Sequence, residues 1–119
     1  MTGFFSRLFG SAQAPDWIEP AELAAHLEAP DAPLVVDVRS PAEFGGPLGH
    51  IPGAVNIPLD QFASRAIEAT GQGRGIVLVC HTDRRSSAAA HHLRGTGVND
   101  VAVLRGGMSA WTQAGLRTA

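Results

Sequence analysis

Short apolar runs alternate with helically spaced segments along this chain. Leu34–Val38 (LVVDV), Ile76–Cys80 (IVLVC) and Val101–Leu104 (VAVL) carry almost no polar positions. That is the pattern of strands buried on both faces. Asp16–Glu19 reads as a shorter first strand. Helical patterns lie between them. Pro20–Ala29 sets Leu23 and Leu27 at i and i+4, with Pro20 at a permitted first-turn position. Leu59–Thr70 puts Phe62, Ala66 and Ala69 on one face. Ser86–Arg94 closes at Gly95 or Gly97, and Met108–Ala114 ends at Gly115. Pro41–Phe44 is a single turn. Gly45–Pro58 is rich in Gly and Pro and is expected to be irregular. Strands alternating with helices predict an α/β sandwich around a mostly parallel sheet of about five short strands. Ligands of such sheets bind at the carboxyl ends of the strands.

Composition sharpens this. The chain has 119 residues, 45% hydrophobic and 17% charged, enough to bury a core without disulfides. Residues 15–119 are expected to form one domain. A net charge of −2 argues against nucleic acid or an anionic membrane as partner. Every basic residue is arginine, from which no function follows. A single cysteine excludes an internal disulfide and a Cys-rich zinc site. His91 and His92 are adjacent and point to different helix faces, so no metal site is expected. No apolar run approaches the roughly 20 residues of a membrane span. Residues 1–14 include Arg7 and Ala12-Gln13-Ala14, but Arg7 interrupts the apolar part and no leader h-region forms. The stretch reads as a mobile arm. The alternative is one helical turn presenting Phe4, Phe5, Leu8 and Phe9 to the domain, a partner or a second copy. The expected location is cytoplasmic.

The chemistry concentrates at Cys80, which ends an apolar run and precedes His81, Thr82, Asp83, Arg84, Arg85 and Ser86. A helix starts near Arg85 or Ser86. Loop amides and the first helical N–H groups then form an anion nest around the sulfur. Sites of this kind lower a cysteine pKa from about 8.5 to roughly 3.5–7.5, and thiolate is the nucleophile. The competing reading is an inert buried cysteine; the polar, doubly cationic loop argues against it. Arg84 and Arg85 are either solvated charges or anion ligands. Arg85, at the helix start, is expected to aim its fork at an oxyanion. Asp83 either caps the helix or pairs with Arg84 at the rim. His81 is a proton relay or passive.

Several motifs in order resemble a rhodanese-homology domain over residues 16–117. They are Asp37-Val38-Arg39, Glu43-Phe44, Gly49-His50-Ile51-Pro52-Gly53-Ala54, Asn56-Ile57-Pro58, the Cys80–Ser86 loop, and Leu104-Arg105-Gly106-Gly107 with Ala110-Trp111. The resemblance implies a rhodanese-like three-layer sandwich and a sulfurtransferase of the single-domain, thiosulfate type. It places Asp37 and Arg39 beside the cysteine loop, with Glu43 pairing Arg39 to brace the wall. It makes His50 a structural histidine, Gly53 a tight turn, Gly106-Gly107 a close backbone approach and Trp111 a core filler. Three departures stand out: an insertion within Gly45–Leu48, Asp83 where the family usually has Gly, and no proline after Leu116. Asp83 is expected to need an αL-like backbone.

The implied reaction is covalent. Cys80 attacks the outer sulfur of thiosulfate or a similar donor, sulfite leaves, and a persulfide stays on Cys80 until a thiol, a protein acceptor or cyanide removes it. No cofactor is expected beyond that covalent sulfur. Two rivals stand. A Cys-dependent phosphatase or arsenate reductase on the same fold uses C-x5-R, whereas Cys80 to Arg85 is C-x4-R. A catalytically weak binding or redox-sensing module is the other.

Overall fold

The computed structural model describes residues 17–119. The arm expected at residues 1–14 and Asp16 lie outside them. In chain order the elements are β1 (Trp17–Ile18), α1 (Pro20–His26), β2 (Leu34–Asp37), α2 (Pro41–Phe44), β3 (Val55–Asn56), α3 (Leu59–Arg65), α4 (Ile67–Thr70), β4 (Ile76–Val79), α5 (Arg84–Gly95), β5 (Val101–Leu104) and α6 (Gly107–Gln113). All strand pairs are parallel, in the order β1-β5-β4-β2-β3.

Strand alternation splits the core in two. Leu34, Val36, Ile76, Leu78, Cys80, Val101 and Val103 pack with Phe62, Ala69, Ala89, Ala90 and Leu93 of α3, α4 and α5. Val35, Val77, Val79, Ala102 and Leu104 pack on the other face with Leu23 of α1 and Met108 and Trp111 of α6. The predicted three-layer sandwich is the observed one.

Three expectations are corrected. Gly45–Pro58 is not irregular throughout: Val55 and Asn56 pair with Val36 and Asp37 as an edge strand. Asn56 Nδ2 also donates to the Asp37 and Arg39 carbonyls at 2.9 Å each. A two-residue strand shows no period, so its pairing is visible only in three dimensions. Leu59–Thr70 breaks at Ala66 into two helices. The first helix stops at His26, followed by tighter turn bonds from Glu28 to Ala25 and Ala29 to His26. Pro30 disfavours helical backbone at Ala29.

Candidate active site

Cys80 lies one residue beyond β4, at its carboxyl end. Alternation along Ile76, Leu78 and Cys80 turns its side chain to the face that α5 covers. The loop is then held from behind by α6. The Cys80 and His81 carbonyls accept from the Met108 and Ser109 amides at 2.9 and 3.0 Å. Gly107, at φ +56°, fits beneath: a Cβ there would drive into the carbonyl oxygens of Thr82, Cys80 and His81. In a trans peptide the N–H points opposite to the C=O, and no peptide among the described residues is cis. The amides of His81, Thr82 and Asp83 are therefore turned away from α6. With those of Arg84 and Arg85, they find no backbone acceptor among the described residues.

Cys80 is 1% exposed. Its sulfur accepts from the Ser86 amide at 3.4 Å and lies 3.2 Å from the Ser86 hydroxyl. Ser86, expected to bind substrate, is buried against the Cys80 sulfur. His81, Thr82 and Arg84 are exposed, and Asp83 is half-buried. Asp83 occupies the N-cap position with φ −151° but makes no capping bond. No described non-glycine residue has positive φ, so the αL expectation fails. The expected capping or pairing of Asp83 is absent too. Its φ lies outside the left-handed region, and no described side chain pairs with it.

Arg85 differs most from expectation. Its two terminal nitrogens donate to both Glu43 oxygens, at 2.7 and 3.0 Å, so its fork meets a carboxylate of the protein rather than standing open. Glu43 correspondingly does not pair with Arg39. Ser40 holds it from the other side through its amide and hydroxyl, each at 3.2 Å from Oε1. The Ser40-x-x-Glu43 capping box that does this was readable in the sequence. The Arg85 bond holds the Glu43 carboxyl down at about 2, with Ser40 adding to it against partial burial. Arg85 is pushed up, chiefly by the Glu43 bond, with the charges of Glu43, Cys80 and Asp37 adding.

Arg39 is 1% exposed and saturated. Its guanidinium donates to Asp37 Oδ2 at 2.7 Å, to the Gly49 carbonyl at 2.8 Å and to the Glu43 carbonyl at 3.2 Å. Asp37 and Arg39 thus clamp the 39–50 segment behind the site and offer no group to a ligand. His50 bonds the Phe44 carbonyl at 3.0 Å and stacks on the Phe44 ring, a structural role. Beside Arg85 opens a groove of about 460 Å³ lined by Val38, Ser40, Pro41, Pro58, Leu59 and Gln61 among others. Nothing in the sequence pattern pointed to Pro58–Gln61 as its wall. No cluster of three or more His, Cys, Asp or Glu among the described residues is arranged to hold a metal. No described helix is long and apolar enough to cross a membrane.

Comparison with known proteins places this geometry. A family model, the rhodanese-like domain, matches residues 19–114. An uncharacterized protein of Synechocystis is 39% identical over 91% of this chain, which spans only 58% of that protein's length. A sulfurtransferase of Allochromatium vinosum is 34% identical over 83% of this chain and 90% of its own. Among solved structures, a Rhodopseudomonas palustris protein of unknown function, titled a possible tyrosine phosphatase, superposes with a TM-score of 0.78 at 25% identity. It covers 87% of this chain and 84% of its own.

Proposed function

The chain belongs to the rhodanese-like domain family, and on that premise we propose that it is a sulfurtransferase carrying a sulfane sulfur on Cys80. The observation that carries this reading is the sulfur's contact with the Ser86 amide and hydroxyl at the start of α5, next to a loop whose amides find no backbone acceptor among the described residues. Those amides suit both a thiolate and the extra sulfur it would bear.

In the proposed first step the Cys80 thiolate attacks the outer sulfur of the donor. A sulfur–sulfur bond forms at Cys80 as the donor's own breaks, and the bonding pair leaves with sulfite when the donor is thiosulfate. The amides of residues 81–85 and the start of α5 stabilise the charge. Approach is from the loop, where His81, Thr82 and Arg84 are exposed. In the second step an acceptor thiolate attacks the outer sulfur of the persulfide and restores the Cys80 thiolate. The chain has no second cysteine to intercept it. A sulfur donor and a thiol or protein acceptor are thus the proposed partners. A C-x4-R loop whose arginine is already bound to Glu43 leaves little to grip a phosphate dianion.

The test is intact mass after incubation with thiosulfate, mercaptopyruvate or a protein persulfide. A gain of one sulfur that is removed by cyanide or dithiothreitol, and absent in Cys80→Ala, is expected. Failure with all three donors would leave a binding or redox-sensing module.

A further inference from the structure

Of the two arginines that follow Cys80, one is already engaged by the fold. Arg84 is exposed, whereas Arg85 is bound through both terminal nitrogens to a carboxylate that Ser40 also holds in place. We propose that Glu43 sets the donor class. By occupying Arg85 it disfavours dianionic thiosulfate and leaves the site to organic persulfides, whose carbon skeleton lies in the groove beside Val38, Leu59 and Gln61. This rests on Cys80 being the sulfur-carrying residue.

Two observations carry it. The first is charge. Sulfite departs with two negative charges, and a fork already matched to a carboxylate is poorly placed to receive them. Opening the pair would strand the Glu43 carboxylate beside the incoming anion. A thiol leaving group makes a smaller demand. In that step the Cys80 thiolate bonds to the terminal sulfur of a protonated persulfide. The persulfide's own sulfur–sulfur bond breaks, its electron pair departs on the organic thiolate, and the proton stays on the transferred sulfur. Atoms and charge balance without a further reactant. The second observation is space. The groove's volume, about 460 Å³, is of the size that takes organic ligands and far exceeds what an inorganic ion fills. Val38 in its wall donates its amide to the Val79 carbonyl at 2.9 Å, and Arg85 lies in the first turn of α5, so the groove lies beside the strand end that carries Cys80. Ser40, Asp60 and Gln61 supply polar groups for amide or ammonium functions.

The experiment measures the rate of sulfur loading on Cys80, by intact mass, from thiosulfate and from glutathione persulfide, and takes the ratio. In Glu43→Gln the thiosulfate-to-persulfide ratio is expected to rise about tenfold, the worth of a freed charge-assisted hydrogen bond. Adding Arg85→Gln is expected to abolish that gain, which a merely structural role for Glu43 would not produce. Gln61→Trp, filling the groove from an exposed position, is expected to raise the same ratio by slowing the persulfide. An unchanged ratio in Glu43→Gln, or a gain that survives loss of Arg85, overturns the charge argument. An unchanged ratio in Gln61→Trp overturns the groove. Loading from neither donor in the unaltered protein would overturn the donor assignment, and failure with mercaptopyruvate and a protein persulfide as well would refute the sulfurtransferase reading itself.

Discussion

Ser86 meets the Cys80 sulfur twice, with its backbone N–H at 3.4 Å and its hydroxyl at 3.2 Å. Both groups come from the first turn of α5, so the helix's positive end and two polar contacts converge on one buried atom. Ser86→Ala removes the hydroxyl and keeps the amide. Iodoacetamide alkylation near neutral pH should slow about tenfold, since a hydrogen bond to a charged group is worth ~1.5–3 kcal/mol. An unchanged rate would show that the hydroxyl does not hold the thiolate.

Gly107 supports the loop from behind. Any side chain there collides with three carbonyl oxygens, at a φ that already favours glycine. Gly107→Ala should destabilise the protein by at least about 2 kcal/mol in urea unfolding and suppress sulfur loading in the folded fraction. Gly53 has φ +85° but nothing near a built Cβ. Gly53→Ala should therefore lower stability while leaving loading intact.

Arg39 and Asp37 form a buried ion pair. Arg39→Leu strands the Asp37 charge and two carbonyl oxygens. Loss of one partner of a buried pair costs about 3–5 kcal/mol. The urea midpoint should drop accordingly. A variant of normal stability but without sulfur loading would instead place Arg39 among the groups that touch substrate.

Glu43 links stability to acid. Its carboxyl titrates at about 2 in the folded protein, below the ordinary 4.5. Between those values the unfolded chain holds the proton and the folded chain does not, so stability rises with pH across that window. The contribution is complete above the ordinary value and is lost as pH falls toward about 2. Glu43 and Arg85 side chains are 36% and 37% exposed, which keeps the slope shallow. Urea midpoints measured from pH 5 downward should fall less in Glu43→Gln than in the unaltered protein.

Asp83 adds a half-buried negative charge to a loop built for anions. Its φ of −151° makes no demand for glycine, so charge rather than backbone is what the residue changes. Asp83→Asn should speed loading from thiosulfate about twofold to fivefold at low salt, with the gain shrinking as salt screens it. A rate that does not rise would show that Asp83 faces away from the incoming anion.

Strand positions, the central sheet and the placing of Cys80 at a strand end were legible because apolar density and period are local properties. The Ser40-x-x-Glu43 capping box is an equally local signal, though only the structure brought it out. The partner of each charge was not legible. Glu43 lies four residues from Arg39, within helical reach, yet it binds Arg85, which is 42 residues away along the chain. Arg39 turns instead to Asp37, since both are sealed behind the site where an unpaired charge is costly. The groove wall at Pro58–Gln61 was equally hidden, because its neighbours come from the segment after β2, from α2 and from α5.

Sequence alone determined the layers and the place of Cys80 and its loop at a strand end, since each follows from residue type and spacing over a few positions. Tertiary structure decided which charges neutralise one another, which amides stay without an acceptor and where an organic ligand has room. Those depend on distances between segments that no local pattern encodes, and at short range a few ångströms decide whether an arginine serves a substrate or a neighbouring carboxylate.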